Sequence, residues 1–592
     1  MIFPKPFREE YFDGTYAADI DFTSDLLEFT RKCGQNPRDF TFVKNEKLSE
    51  EEYKINIDEK GIYMEFAAEK GKFRSLTSLY QIVKRYGRNL PYAKIHDKPA
   101  FKNRGYMLDI SRNKIAKPQK IFWIIDFLAK LKFNQFQLYM ENLCFKYGEF
   151  PEYTKDYDCL TPEDITEIQK YCEERYIELV PCQNGFGHMR AWLDKDEFSH
   201  LEITDGKTKT DTLDPINPES FQLVEKIYKS LLPYFKSDKV NICFDEAMGL
   251  GMYQNKEACD KYGKDNVFMD YMNKVAALCK DKYKKNIMFW DDMIINYPQT
   301  LKRLPKDAVA LEWGYDLIFS QMMEARCIAL KNNNVRFYTC PSTMTFNSFT
   351  GRFDVMSFNM RTAAELGEKY GAEGYLVTEW GDGGNLNNYV WSLVPLALGG
   401  QYSWNTGVKQ HGGWLKPEFI HHAEEFVDEF VFGAKLSRKL YQFGNLYEME
   451  PERIHGFTMC AYMLAKPLND NDFSPFFNLD VVGDEYYFDN IIYASKKLIA
   501  DVQKIDTDDI WKRSVTVNAK MNLLGAEYAI VKMKKAVTKA KADELIKLSE
   551  NIVSEAKDIW LEYNYSEGME ESFRRFALRE KELKEYIDKD AQ

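Results

Sequence analysis

Short apolar runs alternate with amphipathic stretches from Phe101 to about Lys409. The runs lie at residues 105–110, 134–140, 177–181, 240–246, 286–292, 308–313, 335–341 and 374–380. Apolar runs of this length, bounded by polar residues, predict strands that are buried on both faces. The stretches between them have helical spacing, as in residues 118–131 and in residues 162–176, which open with a Thr161 capping signal. Eight strands alternating with helices predict a (β/α)8 TIM barrel, whose active site lies at the carboxyl ends of the strands.

Different patterns flank the predicted barrel. Residues 53–57 and 61–66 alternate between apolar and polar positions around a turn, and residues 74–85 form an amphipathic segment. They predict a small α+β domain over residues 1–98, ahead of the barrel at residues 99–410. Residues 411–592 are expected to be mainly helical, because apolar residues recur there at helical spacing, as at Leu545, Leu548, Ile552, Ala556 and Ile559. A doubly wound sheet is the less favoured alternative, since no glycine-rich nucleotide loop follows the first strand.

Composition narrows the classes of partner. The 592 residues carry a net charge of -12, which argues against nucleic acid or an anionic membrane as a partner. No secretory signal pattern opens the chain and no apolar run approaches a membrane span, so we expect a cytoplasmic protein. The eleven cysteines and seven histidines form no metal-binding motif. We therefore expect reduced core thiols, no metal and no cofactor. The sequence leaves the oligomeric state open, a homodimer included.

Two adjacent acids, Asp245 and Glu246, close the apolar run at residues 240–244. Because side chains alternate along a strand, neighbouring residues can serve one pocket only where the strand end is splayed. Further polar and aromatic residues fall at the other predicted strand ends: Arg104, Glu141, Asn142, His188, Trp290, Asp291, Asp292, Glu312, Trp313, Glu379, Trp380 and Asp382. Carboxylates accept hydrogen bonds from sugar hydroxyls, and indole faces stack on pyranose rings. The sequence therefore predicts a glycan pocket at the mouth of the barrel.

Three of these segments resemble glycoside hydrolase family 20, the β-N-acetylhexosaminidases. Residues 104–112 (RGYMLDISR) resemble the opening barrel motif of that family, and residues 181–192 resemble its third-strand segment ending in Gly-His. Asp245 and Glu246 fall where the family has its catalytic Asp-Glu pair. The resemblance spans about residues 40 to 410, because the hairpin and helix ahead of the barrel also resemble the family's usual N-terminal domain.

The resemblance implies substrate-assisted catalysis with retention of configuration. Glu246 would protonate the glycosidic oxygen, while the 2-acetamido carbonyl of the substrate attacks the anomeric carbon to form an oxazolinium-like intermediate. Asp245 would orient the acetamido N–H and stabilise the developing positive charge. The implied substrate is a carbohydrate with a terminal N-acetylhexosamine, either GlcNAc or GalNAc.

Other roles carry over from the family one residue at a time. Arg104 and Glu379 match residues that grip hydroxyls of the terminal sugar, which would enforce exo action. Trp290 and Trp313 match aromatic walls around the acetamido group, and His188 matches the third-strand histidine.

The chain also departs from the family pattern. Glu141-Asn142 replaces paired aspartates, and Trp380 is offset from the usual indole by one residue. The tyrosine that bonds the acetamido carbonyl has no clear match, and Asn347 is the substitute that we predict from the sequence. These differences suggest a divergent branch of the family.

Two alternatives stay open at this point. One is a barrel glycosidase that uses two enzyme carboxylates, with Glu246 as the acid and Glu379 or Glu312 as the nucleophile, on sugars without an acetamido group. That mechanism does not require Asp245 beside Glu246. The other is a non-catalytic glycan-binding protein built on the same barrel, against which the presence of both acids argues.

Overall fold

The computed structural model describes residues 2–407, 417–451, 453–466, 486–534 and 536–590. A five-stranded sheet opens the chain, formed by β1 (Arg8–Ala17), β2 (Phe40–Lys44), β3 (Tyr53–Asp58), β4 (Gly61–Phe66) and β5 (Asn89–Asp97) in the order β1-β5-β3-β4-β2. The predicted hairpin is confirmed as the antiparallel pair β3 and β4. The predicted helix extends over Glu69–Tyr86, packs against the sheet and is buried all round from residue 73 to residue 83. The sequence did not predict β1, β2 or β5.

Eight parallel strands then close into a barrel, which confirms the predicted fold. They are β6 (Asn103–Asp109), β7 (Gln135–Met140), β8 (Glu178–Gln183), β9 (Lys239–Asn241), β10 (Asn286–Trp290), β11 (Val309–Trp313), β12 (Arg336–Cys340) and β13 (Gly374–Glu379). The first strand β6 pairs with both β7 and the last strand β13, so no edge is left unpaired. Almost every strand residue is buried, as a barrel covered by helices requires.

Helices surround the barrel and place their apolar faces against it. The main ones are Pro118–Lys130, Pro162–Glu173, Pro218–Leu231, Lys264–Tyr283, Leu317–Asn332, Phe353–Tyr370 and Leu393–Trp404. The predicted capping signal is confirmed: the Thr161 side chain accepts from the backbone N–H of Asp164, and the Asp164 carboxylate accepts from the N–H of Thr161. This reciprocal pair fixes where the helix begins.

The C-terminal part of the chain is helical, as predicted. Its helices are Pro417–Val427, Ser437–Gly444, Met459–Ala465, Tyr486–Val502, Asp509–Lys534, Lys539–Tyr563 and Met569–Asp590. The predicted stripe packs in a second hydrophobic core, in which Leu545, Ile552 and Ile559 are buried. The predicted boundary at residues 410 and 411 lies outside the described residues. In the described part of the chain, no helix has both the length and the apolar character needed to cross a membrane.

Candidate active site

The chain turns sharply where β9 ends, and this turn carries Asp245 and Glu246. The predicted strand at residues 240–246 stops at Asn241, because Cys243 and Phe244 adopt left-handed backbone angles with φ of 64° and 69°. Glu246 is also left-handed, with φ of 45°. Such angles are unfavourable for residues with a Cβ, so the surrounding structure must hold them. The turn thus ends the strand alternation that would direct two neighbouring acids to opposite faces.

The loop after β8 approaches this turn closely. A Cβ on Gly187 would lie 2.4 Å from the carbonyl oxygen of Asp245, so only glycine fits there. The next residue, His188, is thereby placed with its Nε2 atom 3.4 Å from a carboxylate oxygen of Asp245 and 3.4 Å from one of Glu246. On its other oxygen, Asp245 accepts a hydrogen bond of 3.3 Å from Asn184. The third-strand histidine therefore contacts both acids.

The charges of His188 and Asp245 stabilise each other. Burial alone would lower the pKa of His188, but the Asp245 carboxylate outweighs it and raises this pKa well above its usual value. Burial would likewise raise the pKa of Asp245, but the imidazole lowers it. Glu246 differs from both, since 41% of its side chain is exposed. The site thus holds a charged Asp245 beside a carboxyl group that a ligand can reach.

Aromatic rings form one wall beside the two acids. The Trp290 and Trp380 rings lie 5.7 Å apart, and Trp313 lies 5.2 Å from Tyr315. The indole N–H of Trp380 donates to the Tyr315 hydroxyl at 2.8 Å. Trp290 and Trp380 are buried, and Trp313 is partly buried. Tyr315, which the sequence did not single out, therefore connects Trp380 to Trp313, and Trp290 packs on Trp380.

Two buried acids and one partly buried acid lie next to this wall. The Asp292 carboxylate accepts the backbone N–H of Glu246 at 3.0 Å and the indole N–H of Trp313 at 3.4 Å, so it connects the predicted acid to the aromatic wall. Asp291 and Glu312 are fully buried, and among the described residues no donor reaches their carboxylate oxygens. Burial raises the pKa of Asp291 and of Asp292 to about 7 each. A proton shared between Asp291 and Glu312 is the arrangement that satisfies this pair.

Arg112 is the basic residue at the mouth of the barrel. Its guanidinium lies 3.0 Å from Asp109, 3.3 Å from Glu141 and 3.8 Å from Asp382. It also lies 4.9 Å from the centre of the Trp380 ring. Glu141 also accepts from the Tyr139 hydroxyl at 2.7 Å. The first, second and eighth strands thus supply one cluster of charges at the rim.

A cleft of about 700 Å³ opens beside His188, Arg112 and Glu141, and the helix Met569–Asp590 forms one of its sides. The barrel contributes Ser111, Arg112, Asn113, Glu141, Asn142, His188, Arg190, Ala191, Asp194 and residues 381–384, and the C-terminal region contributes Ala465, Glu571, Arg574, Arg575 and Leu578. The helical C-terminal region, for which the sequence indicated only a packing role, therefore forms part of the cleft.

The structure overturns the predicted role of Arg104. This side chain is fully buried at the amino end of β6, and its guanidinium binds both oxygens of Glu51 at 2.7 and 2.8 Å. The remaining N–H groups donate to backbone carbonyls, including that of Lys132 at 3.0 Å. Arg104 therefore joins the N-terminal sheet to the closed end of the barrel and cannot grip a sugar. The signal was available in the sequence, since Arg104 lies at the start of the strand whereas Arg112 follows its end.

The predicted role of Glu379 in gripping sugar hydroxyls is also wrong. Its carboxylate is buried and accepts from the hydroxyls of Ser392 at 2.5 Å, Thr345 at 3.0 Å and Tyr106 at 3.3 Å. Burial raises its pKa despite these donors. The carboxylate at the rim on this strand end is Asp382 instead, three residues further along. Strand alternation alone could not reveal this, because the chain leaves the strand at Trp380.

Asn347 lies to one side of the aromatic wall. Its backbone N–H donates to the Asp382 carbonyl at 3.3 Å, and a Cβ on Gly383 would lie 2.4 Å from its Oδ1 atom. The Asn347 carbonyl accepts from the N–H of Thr458 at 3.1 Å. These contacts place Asn347 against the loop that carries Asp382, whereas Tyr315 is the hydroxyl located among the tryptophans.

Comparison with known proteins assigns the barrel residues to a family. Residues 101–391 match the model described as glycosyl hydrolase family 20, catalytic domain. The chain is similar to a lacto-N-biosidase of Bifidobacterium bifidum, with 27% identity over 46% of this chain and 25% of the relative. It is also similar to a beta-hexosaminidase of Vibrio furnissii, with 25% identity over 53% of this chain and 59% of the relative. The chain belongs to glycosyl hydrolase family 20, and its barrel is a glycoside hydrolase catalytic domain.

Solved structures agree with the fold. A Flavobacterium johnsoniae chitobiase covers 97% of this chain and 98% of its own, with a TM-score of 0.58 and 16% identity. An exo beta-N-acetylglucosaminidase of Vibrio harveyi, solved in complex with N-acetylglucosamine, covers 72% of this chain with a TM-score of 0.55 and 18% identity. For that enzyme the alignment spans 77% of its chain. The matched segment spans between a quarter and three fifths of the length of the first curated relatives.

Proposed function

We propose that this protein is an exo-acting, retaining β-N-acetylhexosaminidase that removes a terminal β-linked GlcNAc or GalNAc by substrate-assisted catalysis. The observation that carries the proposal is the turn after β9, which brings Asp245 and Glu246 each within 3.4 Å of the His188 imidazole. The similarity to the beta-hexosaminidase of Vibrio furnissii supports the same reaction class.

Glu246 is the proposed proton donor to the glycosidic oxygen, and later the base for the incoming water. It is the more exposed of the two acids, so the oxygen of a departing group can reach it. His188 contacts the carboxylate of this acid, and Asp292 accepts its backbone N–H. The acid can therefore be positioned before the substrate binds.

Asp245 is the proposed partner of the acetamido N–H. It is buried, its pKa is low and it already accepts from Asn184, so it remains a carboxylate at neutral pH. A fixed negative charge at this point stabilises the positive charge of an oxazolinium-like intermediate. Trp290, Trp313 and Trp380 would enclose the acetamido methyl group. The Tyr315 hydroxyl is better placed than Asn347 to donate to the acetamido carbonyl, since it lies among these rings.

Arg112, Glu141 and Asp382 are the proposed contacts for the hydroxyls of the terminal sugar. Their separations of 3.3 and 3.8 Å leave hydrogen-bonding capacity that sugar hydroxyls would use. A charged cluster that binds the hydroxyls of the terminal sugar also favours exo action, in which that sugar is the one removed.

The two-carboxylate alternative finds less support. Glu379 is held below the rim by hydroxyl groups, and Glu312 is fully buried beside Asp291 and Arg326. Neither carboxylate has the exposure that an enzyme nucleophile needs to reach an anomeric carbon.

A pair of chromogenic substrates tests the proposal. We expect hydrolysis of 4-nitrophenyl β-N-acetylglucosaminide and negligible hydrolysis of the matching β-glucoside, because the glucoside has no internal nucleophile. A thiazoline that mimics the intermediate should inhibit strongly. Comparable rates on both substrates, with trapping of an enzyme carboxylate by a 2-fluoro sugar, would favour the alternative. An absence of turnover with retained sugar binding would instead indicate a glycan-binding protein.

A further inference from the structure

The helix Met569–Asp590 directs a charged face into the cleft. Glu571, Arg574, Arg575 and Leu578 all line the cleft, and their spacing of three, four and seven residues places them on one side of the helix. The opposite side carries Phe573 and Phe576, which are buried in the core of the C-terminal region. Because packing fixes the apolar side, the arginines must face the barrel mouth.

Specific contacts hold this helix against the barrel. The Asn113 side chain donates to the Ser572 hydroxyl at 3.1 Å. At the start of the helix, a Cβ on Gly568 would lie 2.2 Å from the Asn113 carbonyl oxygen, so the two backbones touch. On the next turn, a Cβ on Gly384 would lie 2.7 Å from the Arg575 guanidinium. The glycine thus makes room for Arg575 beside the loop that carries Asp382.

The four arginines that line the cleft differ in their partners. Arg112 is paired with Asp109 and Glu141, and Arg190 with Asp194 and Glu202.

The other two, Arg574 and Arg575, form no ion pair or hydrogen bond with any residue in the described part of the chain. Arg575 is partly buried, whereas Arg574 is exposed. Burial lowers the pKa of Arg575, and the charge of Glu571, one turn earlier on the same helix, opposes this effect. A partly buried guanidinium without a bonded carboxylate partner is costly unless a ligand supplies the anion.

We propose that Arg574 and Arg575 form a subsite for an anionic substituent, a sulfate or a carboxylate, on the glycan bound in the cleft. The proposal rests on the proposed hexosaminidase function and narrows its substrate class to acidic glycans. Paired guanidinium groups suit such oxygens because each presents N–H donors in a planar fork. The two sources of the anion are a sulfate on the terminal sugar and a uronic acid as the neighbouring sugar.

Matched substrates distinguish the two sources. One arm compares aryl β-GlcNAc with its 6-sulfated form, and the other compares terminal β-GlcNAc attached to glucuronic acid with the same sugar attached to glucose. We expect the wild-type protein to prefer the acidic member of one pair in kcat/KM. In the double variant Arg574→Gln/Arg575→Gln this preference should fall by about tenfold, as expected when a hydrogen-bonded charge partner is lost.

Two further variants control for helix charge. Lys581→Gln removes a positive charge from an exposed position on the same helix that does not line the cleft, and should leave the preference unchanged. Glu571→Gln removes the nearby negative charge and should increase the preference. An unchanged acidic-to-neutral ratio in the double variant, or no wild-type preference in either arm, would overturn the subsite.

A binding measurement separates this inference from the proposed function. Calorimetry on Glu246→Gln with 6-sulfated GlcNAc and with GlcNAc needs no turnover. Tighter binding of the sulfated sugar, lost in Arg574→Gln/Arg575→Gln, supports a subsite for sulfate even if no substrate is hydrolysed. The protein could instead hydrolyse neutral substrates, bind both sugars equally and show no preference for the glucuronic acid substrate. That result would support the proposed function and reject the subsite.

Discussion

The two ends of the barrel differ in how completely their charged side chains are paired. At the amino end, Arg104 and Arg74 share Glu51, and Lys132 pairs with Asp97 at 2.8 Å. Asp97 also accepts from the indole of Trp404 at 2.7 Å and from the Tyr53 hydroxyl. Burial alone would raise the pKa of Glu51, but Arg104 and Arg74 lower it to about 2. This end is a nearly saturated network that joins the N-terminal sheet to the barrel.

At the carboxyl end, charged groups keep unused hydrogen-bonding capacity. Glu246 is partly exposed, Arg112 makes looser contacts, and Asp291 and Glu312 have no donor among the described residues. The segment 104–112 contributes an arginine to each end. Arg104 and Arg112 are the same residue type, but they differ in how many of their N–H groups already have protein partners. This difference distinguishes a structural arginine from one that is available to a ligand.

The largest expected effect is the loss of turnover when Glu246, at the carboxyl end of the barrel, is replaced. Glu246→Gln keeps the volume of the side chain but removes its proton, so kcat on oligosaccharides should fall by about 10² to 10⁴ fold. Steady-state kinetics with a nitrophenyl substrate provides a control, because a good leaving group needs less protonation and should be affected less. Wild-type rates on oligosaccharides would rule out Glu246 as the acid.

At the closed end the expected effect is on stability. Arg104→Ala leaves Glu51 buried without its bidentate partner and should lower the free energy of unfolding by about 3–5 kcal/mol. Urea unfolding measures this loss, and kcat/KM per folded molecule should stay normal. Arg104→Ala/Glu51→Leu should recover part of the stability. A stable Arg104→Ala protein with lost activity would contradict the division between the two ends.

A conservative change at the rim tests Arg112. Arg112→Lys keeps the charge but loses the planar fork that contacts Glu141 and Asp382, so kcat/KM should fall by about 10- to 100-fold. The melting temperature should change little, since the contacts at this end are not saturated. Arg104→Lys is the matched control, for which we expect the reverse pattern. Normal kinetics of Arg112→Lys would remove Arg112 from the sugar site.

The smallest effect concerns the acids beneath the aromatic wall. The pKa of Asp291 is about 7 in the folded protein, above the ordinary value of 3.8, so the folded state binds more protons between these values. Stability should therefore fall as pH rises from 4 to 7. Asp291→Asn removes this ionisation and should stabilise the protein at pH 8 by about 1 kcal/mol, with a smaller gain at pH 5.

Thermal unfolding at the two pH values measures the difference. Asp196→Asn, an exposed acid outside the cleft, serves as control and should show no such pH dependence. A variant that is less stable than the wild type at pH 8 would contradict the shared proton.

Much of the barrel was predictable because its signal is local. Seven of its strands end within two residues of the predicted ends, since continuous apolar runs reflect burial on both faces. The fourth strand stops five residues early, at Asn241, because tertiary contacts hold Cys243 and Phe244 in left-handed conformations. In the N-terminal sheet, β1 has mostly exposed residues and so gave no alternating pattern.

The amino-acid sequence by itself determined the barrel, the helical C-terminal region and the adjacency of Asp245 and Glu246, because periodicity and neighbouring positions are local properties. The tertiary structure decided that Arg112 rather than Arg104 reaches the rim, that Asp382 rather than Glu379 accompanies it, and that the last helix brings Arg574 and Arg575 to the cleft. Each of these outcomes depends on which partners meet across long stretches of chain. Hydrogen-bond saturation and burial arise only when those partners are in place.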